Sequence, residues 1–387
     1  MSLSKERNDV TMTRLAKLAA LAAVGTLSLT ACGGGTTVTT TAATSAATST
    51  STAATLACPT GKLVGGGSTA QKLAMETLTS NYAAECGNKA TIEYSGTGSG
   101  AGIKDFYNGQ IDFAGSDSAL KSEPNKDNVI ETDKVEARCS APGWNLPLVV
   151  SPVAFAYNLT GVDALTLTPA VIADIFNGRI TAWNDTAIAA LNSGVTLPDT
   201  KISPFFRSDE SGTSENMQTY LAASAPTNWT AEPAKTWEGT AGEGKKGTQG
   251  VADGVKGVEG GFGYIEWKSA TDSQLGIAAI DNGDGAVELN ADSVGKSLLA
   301  AEAAGSGNDL AIKLKYTDLG AGAYPAVMVT YTIVCSTGLA ADQTAVLQDF
   351  LTYVVDPDTQ AGMVDLGYAP LPEELRAKVA TAVAAIK

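Results

Sequence analysis

Short β-type segments alternate with helical patterns from Leu63 onward, and this alternation restricts the fold more than any other feature of the sequence. Repeated βα units of this kind build a largely parallel sheet covered by helices. The elements predicted in this part are strands at 63–64, 91–94 and 111–114 and helices at 71–82 and 103–108. We therefore predict the α/β fold class.

Two long apolar runs, at 146–157 and 325–335, indicate strands that pass between two domains. The length of 387 residues suits two ordinary domains. A polar stretch at 121–141 interrupts the alternation before the first run. The other predicted elements are helices at 169–176, 187–192, 213–223, 251–255 and 373–386 and a strand at 201–206. We predict one domain from residues 56–148 plus 325–387 and a second from 149–324.

The N-terminal 31 residues are typical of an export signal, with Arg14 and Lys17 before a short apolar stretch. Thr30 and Ala31 then precede Cys32, as in a bacterial lipobox, so we predict that residues 1–31 are removed and that Cys32 is lipidated. The alternative is an ordinary secretory signal with an unmodified cysteine. Residues 32–55 are rich in Thr, Ala and Ser and are predicted to form a tether. Met12 is an alternative start.

Four further cysteines remain in a chain that is predicted to reach an oxidising compartment. Four cysteines can form two disulfides in three different ways. A helix that returns antiparallel to its strand brings Cys58 and Cys86 together, which leaves Cys139 to pair with Cys335. Free, buried cysteines are the alternative.

The composition excludes two classes of function. The chain has no histidine, so it lacks the commonest general base and cannot be a Ser-His-Asp hydrolase. Its formal net charge is −15, and the Lys and Arg residues do not cluster as a surface that binds nucleic acid requires. We predict no nucleic-acid partner.

Three loops rich in Gly, Ser and Thr, at 65–69, 95–102 and 208–214, each come after a predicted strand and before a helix. The first turn of a helix offers unpaired N–H groups, glycine admits close approach to them, and hydroxyl groups add donors. Any one loop alone is more typical of an ordinary turn or helix cap than of an anion site. Because three occur at the carboxyl ends of strands, we predict that they converge on one anion.

Arg207 and Asp117 refine this prediction. Arg207 directly precedes the third loop and can give two parallel hydrogen bonds to an oxyanion, although a lone arginine is often a solvated surface charge. Asp117 repels an anion unless it accepts a hydrogen bond from a proton on the ligand, which phosphate retains near neutral pH and sulfate does not. The alternative for Asp117 is an N-cap of a helix at 118–120.

At these residues the chain resembles the phosphate-binding proteins of Pst-type ABC importers. The resemblance extends from about Leu63 to Lys387. It is carried by the segments AGSD (114–117), NGRITAWND (177–185), RSDESGTS (207–214), GYIEW (263–267) and YAPLP (368–372).

The resemblance implies a two-domain periplasmic-binding-protein fold of type II, with a ligand cleft between domains joined by crossing strands. It also implies a set of phosphate ligands: Thr69, the Ala70 N–H, Ser99, Asp117, Arg207, Ser211, the Gly212 N–H and Thr213. Asp209 would orient Arg207. The chain departs from the familiar pattern at Ala70, which replaces an aromatic residue, and at Glu210, which replaces glycine and adds negative charge beside the loop.

The function that the resemblance implies is capture of inorganic phosphate by hinge closure outside the cytoplasmic membrane. The partners would be the permease subunits of an ABC importer and, through Cys32, the membrane; we expect a monomer without cofactor, metal or catalytic activity. The alternatives are a binding protein for another tetrahedral oxyanion, a phosphatase built on the same cleft, and a lipoprotein that serves in adhesion or sensing.

Overall fold

A computed structural model describes residues 55–387, which are organised around one long mixed sheet. The predicted signal peptide at 1–31, the lipidation site Cys32, the alternative start Met12 and nearly all of the tether at 32–55 lie outside the described residues.

Strands of the described residues range from two to sixteen residues in length. In chain order they are β1 (Gly61–Gly67), β2 (Ala90–Gly96), β3 (Phe113–Ser116), β4 (Gly143–Asn158), β5 (Thr166–Leu167), β6 (Ser203–Arg207), β7 (Glu243–Lys245), β8 (Gly261–Glu266), β9 (Gly276–Ile277), β10 (Ala279–Asp281), β11 (Ala286–Val287), β12 (Glu302–Ala303), β13 (Ile312–Lys313) and β14 (Val327–Cys335).

Helices separate most of these strands. They are α1 (Lys72–Glu85), α2 (Ser99–Tyr107), α3 (Glu131–Cys139), α4 (Pro169–Phe176), α5 (Thr186–Leu191), α6 (Gly212–Ser224), α7 (Gly247–Lys256), α8 (Trp267–Asp272), α9 (Ala291–Leu298), α10 (Ala341–Val354), α11 (Pro357–Gly362) and α12 (Glu373–Ala384), with a 3-10 turn at Met363–Leu366.

The long sheet has the strand order β2-β1-β3-β14-β4-β8-β6-β7, and β9 also pairs with β4. Pairing is parallel within β2-β1-β3, which we call the first half-sheet, and within β8-β6-β7, the second half-sheet. The strands between them pair antiparallel. The prediction of a largely parallel sheet is therefore correct for the two half-sheets and wrong for the centre.

Strand β4 links the two half-sheets. Its residues 143–152 pair with β14, and its residues 153–158 pair with β8. Both β4 and β14 are buried along nearly their whole length, which explains why each forms a continuous apolar run in the sequence. The sequence-based division at residues 148/149 and 324/325 stays a prediction.

Most predicted elements are present, with two corrections. Helix α3 lies inside the polar stretch at 121–141, where few apolar residues mark its buried side. The glycines at 65–67 belong to β1 rather than to a loop. Gly67 has a φ of +136°, and a Cβ there would lie 2.1 Å from the Gly115 carbonyl oxygen, so a glycine lets the two strands approach at this point.

Two disulfides close the fold, Cys58–Cys86 and Cys139–Cys335, and these are the predicted pairs. The first joins the segment before β1 to the end of α1, and the second joins the ends of α3 and β14. Within residues 55–387 no helix has both the length and the apolar composition of a membrane span.

Candidate functional site

The carboxyl ends of the two half-sheets face each other, and their loops are in contact. The side chains of Thr69 and Thr248 are joined by a hydrogen bond of 2.9 Å between hydroxyl oxygens. The Gly100 N–H donates to the Glu210 carbonyl oxygen at 3.1 Å. The Gly98 N–H donates to the Gly67 carbonyl oxygen at 2.7 Å, so the first loop also contacts the second. The three predicted loops therefore meet at one place, as the anion-site hypothesis requires.

Arg207 ends β6 and is only 2% exposed, so its interpretation as a solvated surface charge is wrong. Its Nε donates to Asp209 Oδ1 at 2.8 Å and its Nη2 to Oδ2 at 2.5 Å. Burial works to raise the pKa of Asp209, but its hydrogen bonds with Arg207 prevail and hold that pKa below the usual range. Asp209 also accepts from the Gly247 N–H at 2.9 Å, which ties the pair to the start of α7.

An aromatic cluster packs against the end of β6, next to Arg207. The Arg207 N–H donates to the Tyr264 hydroxyl at 3.1 Å, and the Ser214 hydroxyl lies 2.6 Å from the same oxygen. The Trp237 ring is stacked between Tyr264 and Phe206, with ring centroids 5.5 and 5.0 Å away. Large rings of this kind have few rotamers, so they hold the end of β6 rigidly.

Asp117 follows β3 and is 2% exposed. No helix starts at residues 118–120, and the next helix begins at Glu131, so the helix-cap interpretation of Asp117 is wrong. Its carboxylate instead accepts from the Ser68 hydroxyl and lies 3.3 Å from both Ser99 Oγ and Thr213 Oγ1. Burial, reinforced by the charge of Glu266, raises the pKa of Asp117 to about 6.

Two helices point their N-termini into the site. Ser211 is the N-cap of α6, its hydroxyl accepts from the Ser214 N–H at 3.2 Å, and Gly212 and Thr213 form the first turn. Ser99 is the first residue of α2, directly after Gly98. Gly98 has a φ of +102°, and a Cβ there would lie 2.7 Å from Asp209 Oδ2, so this close approach requires glycine.

The first loop lies on the same side. Thr69 is half-buried, and the Ala70 N–H donates to Ser68 Oγ at 3.0 Å. The structure therefore groups all eight predicted ligands around Asp117 and Arg207 or on the loops beside them, while their roles as phosphate ligands stay a prediction.

Glu210, the charged departure from the familiar pattern, is paired. Its carboxylate lies 2.7 Å from the Lys104 ammonium of α2, which in turn contacts Asp127 at 3.5 Å. An adjacent cation offsets the repulsion that an extra carboxylate would exert on a bound anion.

Sequence reasoning does not single out two residues of the site. Ser68 lies in the first loop, and Glu266 enters only as part of the segment at 263–267. Ser68 directly follows β1 and Glu266 is the last residue of β8, so each lies at the carboxyl end of a strand, which is the signal that could have found Glu266. Its carboxylate accepts from Thr213 Oγ1 at 2.9 Å.

A resident metal is not supported by the described residues. Among them, the one group of three side chains whose ligand atoms lie close enough to hold an ion is Cys58, Cys86 and Asp349. The two cysteines are joined in a disulfide, so their thiolates are not available to a metal.

Comparison with known proteins identifies a family model and relatives that are named phosphate-binding proteins. A family model described as a PBP superfamily domain matches residues 36–358. The phosphate-binding protein PstS2 of Mycobacterium bovis is 39% identical over 371 residues, which cover 95% of this chain and 97% of that protein. The phosphate-binding protein PstS of Xylella fastidiosa is 32% identical over 81% of this chain and 82% of that protein.

Solved structures resemble the fold. A high-affinity periplasmic phosphate-binding protein, PfluDING, solved with phosphate bound, superposes with a TM-score of 0.66 at 22% identity, covering 83% of this chain and 93% of that chain. The phosphate-binding protein of Stenotrophomonas maltophilia superposes with a TM-score of 0.63 at 20% identity, over the same shares of the two chains. The fold is that of the periplasmic binding proteins.

Proposed function

The chain belongs to the PstS family of phosphate-binding proteins, and on this basis we propose that it binds inorganic phosphate outside the cytoplasmic membrane and delivers it to an ABC-type importer. The observation that carries the proposal is the convergence of Arg207, Asp117 and the N-termini of α2 and α6 at one buried place. A guanidinium and helical N–H groups bind oxyanions, and a buried acceptor suits an anion that retains a proton.

The proposed ligands come from both half-sheets. Those on the first are Thr69, the Ala70 N–H, Ser99 and Asp117, and those on the second are Arg207, Ser211, the Gly212 N–H and Thr213. Hydrogen bonds to charged groups contribute about 1.5–3 kcal/mol each, so several of them can support micromolar or tighter binding after the cost of association. Because the proposed ligands come from two half-sheets that we predict to belong to different domains, phosphate would favour a closed over an open form.

Asp117 is the proposed basis of selectivity against sulfate. A proton on phosphate satisfies the carboxylate, whereas sulfate leaves a buried charge facing a like charge. A binding protein for a fully deprotonated oxyanion is the nearest alternative, and it would have no use for an acceptor at this position.

To deliver phosphate to an importer, the protein must be held near the membrane and must bind the importer's permease subunits. We propose that Cys32 is lipidated, that the segment at 32–55 tethers the protein to the cell membrane, and that the closed form docks as a monomer on permease subunits. Binding without catalysis is the role proposed here. The phosphatase alternative must do without histidine, which the whole chain lacks.

Calorimetric titration with phosphate and with sulfate tests the proposal, using wild-type protein freed of bound anion and the variant Asp117→Asn. We expect tight phosphate binding without sulfate heat in the wild type, and a gain of sulfate affinity in the variant. A folded, anion-free wild type that binds no phosphate would refute the function. Turnover of p-nitrophenyl phosphate that is lost in Arg207→Ala would favour the phosphatase.

A further inference from the structure

Ser68 is a fully buried residue that directly follows β1 and does not belong to the proposed ligand set. Its hydroxyl oxygen accepts from the Ala70 N–H at 3.0 Å and from the Gln71 N–H at 3.3 Å. A serine hydroxyl has one proton to donate and two lone pairs with which to accept. Because two N–H groups take up the lone pairs, the proton is left for another acceptor.

That acceptor is the carboxylate of Asp117. The Ser68 hydroxyl donates to Asp117 Oδ1, whereas Oδ2 lies 3.3 Å from both Ser99 Oγ and Thr213 Oγ1. Ser99 and Thr213 are proposed phosphate ligands, and a hydroxyl that gives its single proton to the ligand no longer gives it to the carboxylate. Among residues 55–387, Ser68 is then the one side-chain donor that stays with the carboxylate when the site is filled.

We propose that Ser68 is a specificity-determining positioning residue, whose hydroxyl keeps the Asp117 carboxylate ionised and holds its Oδ2 toward the ligand. An ionised carboxylate can only accept hydrogen bonds, so it suits an anion that retains a proton and repels sulfate. A protonated carboxyl group can instead donate a hydrogen bond to sulfate. This inference rests on the proposed function, since it concerns the selectivity assigned to Asp117.

The surroundings of Asp117 make its charge depend on this hydrogen bond. The other titratable groups that face it are Glu266 from β8, Arg207 from β6, Tyr94 from β2 and Tyr368 from the C-terminal segment. Burial raises the pKa values of both tyrosines well above the ordinary value, so neither ionises near neutral pH. Burial also raises the pKa of Asp117, and the Ser68 hydrogen bond opposes that rise, with a balance at about 6. Without Ser68 the pKa of Asp117 should rise further.

The test measures selectivity by calorimetric titration with phosphate, in the presence and absence of sulfate, at constant ionic strength. In Ser68→Ala the ratio of phosphate affinity to sulfate affinity should fall at least about threefold at pH 7, because a rise of one pKa unit takes the protonated fraction of Asp117 from about one-tenth to about one-half. Competition by sulfate should weaken toward pH 8.5, where the carboxyl group loses its proton. The substitution also frees the Ala70 N–H, which can serve either anion, so the ratio rather than either affinity is the readout.

Asp117→Asn supplies the background that separates positioning from a general loss of structure. Because this variant has no carboxylate to hold, adding Ser68→Ala to it should leave the ratio where Asp117→Asn alone puts it. The matched control Ser151→Ala deletes another buried hydroxyl, which has no hydrogen-bond partner among residues 55–387, and it should keep the wild-type ratio. Should Ser68→Ala fail to fold, Ser68→Cys keeps the shape with a weak donor and should also lower the ratio.

Two results would overturn the inference while leaving phosphate binding intact. One is a Ser68→Ala protein as selective as wild type, and the other is an equal loss of selectivity when Ser68→Ala is added to Asp117→Asn. Absence of phosphate binding by the wild type would defeat the proposed function and this inference with it.

Discussion

The Lys104 ammonium lies 2.7 Å from the Glu210 carboxylate, and this ion pair joins helix α2 to the loop that leads into α6. The two residues belong to opposite half-sheets, so the pair is a contact between them. Both side chains are about one-third exposed, with 37% and 34% of their surface accessible. The residue that adds negative charge beside the anion loop thus also links the two half-sheets.

Removing this pair should weaken phosphate binding slightly. We expect Glu210→Gln and Lys104→Gln each to lower affinity by up to about fivefold, because a partly exposed ion pair contributes at most about 1 kcal/mol. Calorimetry at low and high salt checks this, and the difference from wild type should fade as salt screens the pair. An increase in phosphate affinity for Glu210→Gln would mean that repulsion between the Glu210 carboxylate and the anion outweighs the contribution of the ion pair with Lys104.

Lys235 forms a second, buried ion pair between the two halves of the molecule. Its ammonium lies 2.7 Å from Glu131 and 3.8 Å from Glu215, and all three side chains are at most 10% exposed. Lys235→Met should lower the free energy of unfolding by about 3–5 kcal/mol, because it leaves the buried Glu131 carboxylate without its cation, whereas Glu215 keeps its ion pair with Lys121. Urea denaturation measures this, with Lys378→Met, from an exposed pair, as a control expected to change stability by less than about 0.5 kcal/mol.

Arg207 and Asp209 should contribute unequally to binding. Arg207→Lys loses the planar donor geometry, so we expect phosphate affinity to fall at least about tenfold. Asp209→Asn keeps the cation but loosens its orientation, and a smaller loss is expected. Dissociation constants of both variants decide this, and a larger loss in Asp209→Asn would assign the dominant role to the pair's geometry.

Asp117 should make the phosphate-free protein less stable as pH rises. Its pKa is about 6 in the folded state, against an ordinary aspartate pKa of 3.8, so the folded state holds the proton more tightly than the unfolded chain does. Stability is therefore highest below pH 4 for this group and declines as pH rises through 6, by about 3 kcal/mol at most. Asp117→Asn cannot ionise and should lack this part of the decline. Urea midpoints at pH 4 and pH 8 compare the two proteins; equal slopes would contradict the raised pKa.

Elements with a clear local pattern were predicted well. The helix predicted at 169–176 is α4, where Thr168 caps the first turn and a proline follows it. The run at 146–157 corresponds to β4, although only the structure shows that β4 pairs with β14 in one part and with β8 in another. Helix α3 was missed because its apolar side is short, with Val135 and Cys139 as its buried nonpolar residues.

In the site, too, some features could be predicted from local sequence and others only from the structure. Arg207, Asp117 and the three loops could be proposed from the chain because caps, turns and glycine-dependent backbone act over a few neighbouring residues. The triangle of Thr213, Asp117 and Glu266 could not, because it depends on three segments that are distant in sequence. Their approach is set by the pairing of β3 with β14 and of β8 with β4, and strand register over such separations is decided by tertiary packing.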